Sequence, residues 1–101
     1  MKKIINRKMY DTETAKCVGS FSYGSCRDFD HYAEELYRKK TGEYFLYGEG
    51  GAASKYARSV DQNSTSGGWE ITPLSEERAM DWAEKSLDAD EYEAIFGKVE
   101  E

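Results

Sequence analysis

The chain of 101 residues has a net charge of −6, and 34% of its residues are charged, 39% hydrophobic and 14% aromatic. This length suits one domain, residues 1–101, with one modest core, and the aromatic content is far above that of disordered chains. The basic start at residues 1–7 leads into no apolar run of signal-peptide length, and no stretch reaches about 18 consecutive apolar residues. We therefore expect a folded protein of the cytoplasm.

Three strands are predicted in the first part of the chain. Residues 3–6 and 9–10 form two short pieces around a tight turn, in which Arg7 is unfavourable because such turns prefer glycine. Residues 11–14 favour a second turn through their short side-chain oxygens. Residues 15–23 alternate partly, which predicts a half-buried strand. Its common face carries Cys17, Gly19, Phe21 and Tyr23.

Residues 29–46 fit two different structures. Apolar residues at helical spacing from Phe29 to Tyr37, followed by Gly42 as a cap, fit a helix. The aromatic stretch 44–47 is too short for a helix, however, and Thr41-Gly42 fits a turn between two strands. We predict a hairpin from about Glu35 to Gly48, which a helical turn can precede.

The next segment contains many glycines and polar residues. Residues 48–51 end the hairpin, residues 52–59 are predicted to form a short helix, and residues 61–68 have the composition of an exposed, flexible loop. Residues 69–74 alternate as a strand. Pro73 places the end of this strand at a sheet edge or just outside the ladder, because proline cannot donate a ladder hydrogen bond.

Two helices are predicted at the end of the chain. Ser75 is a favourable N-cap for a helix that reaches about Leu87, and Asp88 with Glu91 fits the capping box of a second helix that ends at Gly97. The sequence therefore predicts an α+β fold. An antiparallel β-sheet built from hairpins occupies residues 1–74, and two C-terminal helices in residues 75–97 pack on it.

Charge is distributed unevenly along the chain, with +3 in residues 1–60 and −9 in residues 61–101. On the first predicted helix, the face opposite the apolar one carries four carboxylates: Glu77, Asp81, Glu84 and Asp88. They are candidate contacts to a basic protein groove, where they would imitate the charge of a nucleic acid backbone. The alternative is the solvated face of an amphipathic helix that serves solubility.

A second candidate surface lies at the tip of the predicted hairpin. Arg38, Lys39 and Lys40 stand near Tyr44 and Tyr47, and such basic and aromatic side chains together can contact phosphates and stack on bases. Lys55 follows the glycine run 48–51 and is a further candidate phosphate contact, although Glu49 within the run repels phosphate. The alternatives are a solvated tip that protects a sheet edge and a tight glycine turn.

Catalytic and metal sites have little support in the sequence. His31 is the only histidine, and the spacing of Cys17 and Cys26 fits neither a redox pair nor a zinc site, so we expect reduced thiols, no metal and no cofactor. Cys26 and His31 are close enough to be imagined as a nucleophile and its base, but no orienting third group stands at a recognisable spacing. We therefore expect a binding protein, not an enzyme.

Five segments of the chain carry a resemblance: residues 3–6 (KIIN), 10–15 (YDTETA), 36–51 (LYRKKTGEYFLYGEGG), 54–57 (SKYA) and 71–77 (ITPLSEE). Together they resemble small accessory proteins carried by phages, plasmids and conjugative elements of Gram-positive bacteria, some of them related to type II-A anti-CRISPR proteins. The resemblance implies an inhibitor that binds Cas9 or its guide-RNA complex, and it carries over no catalytic residue. Arg7 departs from the Asn-Gly turn of this group.

Two main hypotheses follow from these patterns. In the first, the protein inhibits a host defence nuclease such as Cas9 by occupying a nucleic-acid or guide-RNA surface. Either the four carboxylates of the predicted helix face a basic groove, or the hairpin tip with Arg38, Lys39, Lys40 and Tyr44 faces RNA. In the second, it is a nucleic-acid-binding accessory or regulatory protein of a mobile genetic element, with the basic hairpin as its surface. A small enzyme that uses Cys26 and His31 is the third and weakest hypothesis.

Overall fold

The chain folds into strands and helices that confirm the predicted α+β class. A computed structural model describes residues 1–24, 29–59 and 65–99, and within these ranges there are eight strands and two helices. The elements are β1 (Lys2–Ile5), β2 (Lys8–Asp11), β3 (Lys16–Tyr23), β4 (Tyr32–Arg38), β5 (Tyr44–Gly50), β6 (Arg58–Ser59), β7 (Thr65–Ser66), β8 (Gly68–Leu74), α1 (Glu76–Ser86) and α2 (Ala89–Phe96).

A four-stranded antiparallel sheet with the strand order β3-β4-β5-β8 forms the centre of the fold. The β1-β2 hairpin packs on one face of this sheet, where Tyr10 meets Phe45 edge-on with ring centroids 5.5 Å apart. The two helices cover the other face, where Leu36 and Tyr44 pack with Ala79. The protein therefore has a hairpin-side core and a helix-side core, where its length had suggested one modest core.

Strand β5 explains why both faces of the sheet are covered. Tyr44 and Leu46 point to the helix-side core, whereas Phe45 and Tyr47 point to the hairpin-side core, because successive side chains of a strand alternate between its faces. A strand with large apolar side chains on both faces needs a packing layer on each side. The β1-β2 hairpin supplies the layer that the helices cannot.

The first hairpin is confirmed, around a two-residue turn. Asn6 and Arg7 have φ angles of 51° and 66°, the left-handed values that this type of turn requires at both central positions. Arg7 is tolerated there because the hairpin is anchored elsewhere. Tyr10 is buried in the hairpin-side core, and Lys8 Nζ lies 3.2 Å from the Glu43 carboxylate.

A β-bulge in β3 changes the predicted face of Cys17. The register of β3 with β4 shifts after Cys17, which lies opposite Tyr37, so that Gly19 lies opposite Leu36. The Cys17 side chain therefore faces the hairpin side, with its Sγ 3.7 Å from the Glu35 carboxylate, while Gly19 faces the helices. The predicted common face is wrong at Cys17, because strict alternation does not allow for an inserted residue.

The central hairpin predicted for residues 35–48 is confirmed and is longer than predicted. Strand β4 already begins at Tyr32, residues 29–30 form a turn, and residues 25–28, where a helical turn would continue, lie outside the described ranges. The chain reverses at Gly42, whose φ of 94° suits glycine, and the loop closes with a hydrogen bond from the Lys39 N–H to the Glu43 carbonyl at 2.8 Å. Pairing with β5 places the apolar residues of β4 in two cores, which a single helix face could not do.

The helix predicted for residues 52–59 is wrong. This segment forms turns followed by β6, and β6 pairs with β7. Strand β7 falls within residues 61–68, which were predicted to be a loop. Residues 60–64 lie outside the described ranges. The Ser54 hydroxyl donates to the Gly51 carbonyl at 2.8 Å and accepts the Tyr56 N–H at 3.2 Å. These local bonds replace helical ones. The Tyr56 ring then fills the space beside Gly48, where a Cβ would collide with it.

The last third of the chain confirms the predicted elements. β8 is an edge strand of the sheet, which is the first of the two positions that Pro73 allowed. The Ser75 hydroxyl accepts a backbone N–H of α1, and Asp88 and Glu91 form the predicted capping box of α2. Gly97 ends α2 with a φ of 93°. The helical ends could be predicted because these capping interactions join residues only three positions apart.

A buried carboxylate connects the sheet to α1 and to the turn after β5. Glu34 of β4 is 4% exposed and accepts hydrogen bonds from Trp82 Nε1 at 3.0 Å and from the Tyr56 hydroxyl. The ammonium of Lys55 lies 2.8 Å from the same carboxylate. Three donors from two distant parts of the chain thus converge on one side chain.

These donors decide the charge state of Glu34. Burial by itself would raise the pKa of this carboxyl, but the hydrogen bonds from Lys55, Tyr56 and Trp82 outweigh burial and hold the pKa below its ordinary value of 4.5. Because the pKa is lower in the folded than in the unfolded chain, ionised Glu34 stabilises the fold above about pH 4.5. That stabilisation is lost as the pH falls through the folded pKa.

We expect Glu34→Gln to lower the free energy of unfolding by about 2 kcal/mol at neutral pH, because the amide loses the ion pair with half-exposed Lys55 and accepts hydrogen bonds less well. The difference from the wild type should shrink as the pH falls below 4.5, where the wild type also loses the charge. Chemical denaturation over this pH range measures the difference. Glu77→Gln, on the exposed face of α1, is the matched control. If the loss of stability in Glu34→Gln were the same at every pH, Glu34 would not be ionised in the folded protein.

We expect Arg7→Gly to raise the free energy of unfolding by about 1 kcal/mol, because glycine adopts the left-handed conformation without the steric cost that an L side chain has. Urea denaturation of the variant and the wild type measures the change. Arg7→Ala removes the same side chain but keeps the strain. If both variants were equally stable, the turn conformation would not be the cause.

Candidate binding surfaces

Three of the four predicted carboxylates form one row on α1. Glu77, Asp81 and Glu84 are exposed and lie on the side of α1 that faces away from the sheet, because Ala79 and Ala83 on the other side are buried. We call these three residues the acidic row. The structure thus brings them together as their helical spacing predicted.

Asp88, the fourth predicted carboxylate, has a different position. Helix α1 ends at Ser86, and Asp88 is the N-cap of α2, where its carboxylate accepts the backbone N–H of Glu91 at 2.8 Å. It is exposed but already used by this hydrogen bond. Asp88 therefore lies beyond the acidic row and adds negative charge near the C-terminal end of α1.

The acidity of the helical layer is not neutralised from within the protein. Residues 75–99 contain eight Asp or Glu and three Lys or Arg. None of these acidic side chains forms an ion pair with a Lys or Arg in the described ranges, where the ion pairs involve Glu34 and Glu43 instead. The field of the acidic row is therefore directed into solvent, where it can attract a basic partner.

The predicted basic residues at the hairpin tip lie at the end of β4 and in the following loop. Arg38 and Lys40 are exposed, and the Arg38 guanidinium lies 5.9 Å from the centre of the Tyr44 ring. The Lys39 ammonium lies 4.1 Å from the centre of the Tyr10 ring and 3.6 Å from the Glu43 carboxylate. Arg38 and Lys40 are thus better placed than Lys39 to reach a partner.

Two basic residues that sequence reasoning missed join this surface. Lys16 lies opposite Arg38 in the sheet, and Lys8 reaches the Glu43 carboxylate from the first hairpin. We call the set the basic end; it consists of Lys8, Lys16, Arg38, Lys39 and Lys40. Lys8 and Glu43 are 35 positions apart, so no local spacing indicated their contact. Their opposite charges were the only signal.

Tyr44 and Tyr47, predicted to stack on bases, are both interior residues. They are 6% and 7% exposed and belong to the two different cores. The Tyr47 hydroxyl donates to the Glu49 carboxylate at 2.8 Å, and burial together with this hydrogen bond raises the pKa of Tyr47. The basic end can therefore contact phosphates, but these two rings offer it no stacking surface.

Lys55, the remaining predicted phosphate contact, is separate from the basic end. It is paired with Glu34, which lies four strand residues from Arg38, a distance of about 13 Å along β4. Its ammonium also lies 4.7 Å from the centre of the Tyr32 ring. Lys55 thus neutralises a buried carboxylate and does not extend the basic surface.

The glycine run 48–51 is neither a phosphate-binding loop nor a tight turn. Gly48 and Gly50 belong to β5 and pair with residues of both β4 and β8. The Gly51 N–H donates to the His31 carbonyl at 2.9 Å. Glycine is needed at position 48 because the Tyr56 ring occupies the space of a side chain there. Packing, not ligand binding, accounts for the motif.

The third hypothesis, a catalytic pair of Cys26 and His31, falls outside what the structure describes, because Cys26 is not among the described residues. Cys17 is a free thiol on the surface. Its Sγ is nevertheless partly desolvated, and this desolvation together with the charge of Glu35 raises the pKa of the thiol. An activated nucleophile would have a lowered pKa. In the described ranges, no three His, Cys, Asp or Glu side chains group as a metal site, and no helix is long and apolar enough to cross a membrane.

Two charged surfaces, the acidic row and the basic end, are therefore the candidate sites. The fold alone is compatible with many functions, so only these surfaces can indicate which one the protein has. Comparisons of the chain with protein-family models, curated proteins and solved structures found no match.

Proposed function

We propose that the protein is a non-enzymatic inhibitor of the anti-CRISPR type, which acts in the bacterial cytoplasm and binds Cas9 or its guide-RNA complex through the acidic row. The observation that carries the proposal is the exposed charge of Glu77, Asp81 and Glu84, with which no described Lys or Arg forms an ion pair. Nucleases of this class hold nucleic acid in a positively charged channel. A protein surface with fixed negative charge competes for that channel.

The spacing of the acidic row suits this competition. Its members are four and three positions apart, so with a rise of 1.5 Å per residue the row is about 10 Å long. Phosphates of one DNA strand follow each other every 3.4 Å or so along the helix axis. The row therefore covers the length of about three nucleotide steps and can meet several Lys or Arg side chains at once.

The acidic row is also held rigidly. Ala79 and Ala83 fix α1 against the sheet, and Trp82 binds Glu34 of β4. A preorganised surface loses little conformational freedom on binding, which favours affinity. The resemblance of residues 36–51 and the other four segments to the anti-CRISPR-related group supports Cas9 as the partner among basic nucleases.

A second candidate function, a nucleic-acid-binding accessory or regulatory protein of a mobile element, is favoured by the basic end. Arg38, Lys40 and Lys16 are exposed and offer phosphate contacts. Tyr44 and Tyr47 are buried, and Glu43 pairs with Lys8 and Lys39. The surface therefore supports weak, sequence-independent binding at most, and the acidic row is the stronger basis for a function.

The inhibitor proposal leads to a prediction about Cas9 cleavage. We expect the protein, added before and after guide-RNA loading, to inhibit target cleavage by at least one of several Cas9 orthologues. The variant E77Q/D81K/E84K should inhibit about tenfold less, because charge reversal replaces attraction by repulsion in a basic groove. Glu77 becomes Gln because a Lys in the first helical turn would oppose the helix dipole.

The matched control for this experiment reverses charge at the basic end. R38E/K40E should inhibit like the wild type, and thermal unfolding should confirm that both variants are folded. Full inhibition by E77Q/D81K/E84K would rule out the acidic row as the binding surface. The order-of-addition difference identifies the blocked step, since inhibition only before loading indicates competition with the guide RNA.

The second candidate function leads to a prediction about bare nucleic acid. If the basic end is functional, single-stranded RNA should bind about 20-fold more weakly when salt rises from about 50 to 200 mM, as expected for about three phosphate contacts. R38E/K40E should then lose the binding while E77Q/D81K/E84K keeps it, in a fluorescence anisotropy titration. Under the inhibitor proposal, we expect no salt-sensitive RNA binding by the wild type.

A further inference from the structure

A groove of about 450 Å³ lies between the end of α1 and α2, next to the acidic row. Its lining includes Ala83, Leu87, Ala89 and Tyr92, and Val99 stands at its border with 60% of its surface exposed. The groove is thus a partly apolar depression between the two helices. Open apolar grooves of this size are common sites for peptide segments of a partner.

The rim of this groove is acidic. Glu84, Asp88 and Glu93 line it together with the apolar residues. Glu84 is also the last member of the acidic row, so that the row leads directly into the groove. An apolar floor between carboxylates matches a segment that carries apolar side chains flanked by Lys or Arg, since both parts of such a segment find a partner.

We propose that this groove binds a basic amphipathic segment of a partner protein, with an apolar side chain on Leu87 and Tyr92 and with cationic groups at Glu84 and Glu93. The inference rests on the proposed function and adds to it, because the acidic row explains attraction to a basic surface and the groove supplies an apolar anchor. Nucleic acid itself does not fit, because the rim repels phosphates.

Other occupants are less compatible with the charges. A second copy would have to offer exposed apolar side chains beside basic residues, as its first hairpin does with Ile4 and Met9. That hairpin presents few residues, whereas specific interfaces bury about 800 Å² on each partner. The proposal therefore commits to a different protein.

Two alanines of α2 provide a matched pair of variants. Ala89 is exposed and lines the groove, whereas Ala94 is exposed on the same helix and does not line it. Ala89→Phe fills the groove with a ring, and Ala94→Phe adds the same ring elsewhere. Both changes leave the carboxylates of the rim and of the acidic row in place.

The probe is a fluorescein-labelled synthetic helical peptide with leucines on one face and lysines on the other. We expect the wild type and A94F to bind it equally and A89F to bind at least about tenfold more weakly, because the peptide's apolar face loses its contact. A peptide of the same composition in scrambled order, which lacks an apolar face, should bind weakly and alike to all three. Equal binding of the amphipathic peptide to A89F and A94F would overturn the proposal.

Two further measurements separate the groove from the proposed function. In the Cas9 cleavage assay, full inhibition by A89F together with loss of inhibition by E77Q/D81K/E84K would reject the groove and retain the acidic row. If the wild type inhibits no Cas9, the inhibitor function fails, and the peptide titration alone decides the groove. Concentration-dependent self-association that A89F abolishes, measured by sedimentation, would identify a second copy as the occupant and overturn the proposal.

Discussion

The Glu34 carboxylate has to be buried and ionised at once, and the arrangement of the helix side depends on how this is achieved. Lys55, Tyr56 and Trp82 all bind it, and each brings its own segment of chain to the sheet. An unpaired buried carboxylate would cost several kcal/mol, so that α1 and the turn after β5 have to stay in place together. Gly48 follows from the same constraint, since a side chain there would displace Tyr56.

The same interactions determine which charged residues are left for a partner. Lys55 is used inside the protein by Glu34, and Lys8 and Lys39 both pair with Glu43. The carboxylates of α1 have no such described partners. The charge of the helical layer is therefore available to a partner, and for this reason we favour a basic protein over nucleic acid as the partner.

The two-sided sheet gives this surface its rigidity. Because β5 carries large side chains on both faces, the β1-β2 hairpin has to cover one face while the helices cover the other. The acidic row is therefore on the outer side of a three-layer structure, and the buried Ala83 packs α1 against the sheet and lines the neighbouring groove. Binding to a rigid surface of this kind requires little reordering of the protein.

Local patterns in the sequence were enough to determine the α+β class, both helix caps at Ser75 and Asp88, and the exposure of the acidic row, and they favoured the central hairpin over a helix. Each of these depends on residues at most a few positions apart, or on a simple period of two or 3.6 residues. The face of Cys17 could not be predicted, because a bulge breaks the period.

Only the tertiary structure decided the contacts between distant residues. It buried Tyr44 and Tyr47, paired Lys55 with Glu34, and added Lys8 to the basic end. It also replaced the predicted helix at residues 52–59 by turns, because Tyr56 packs better against the sheet than it would on an isolated short helix. Such outcomes depend on which surfaces the other layers cover, and the spacing of residues along the chain does not carry that information.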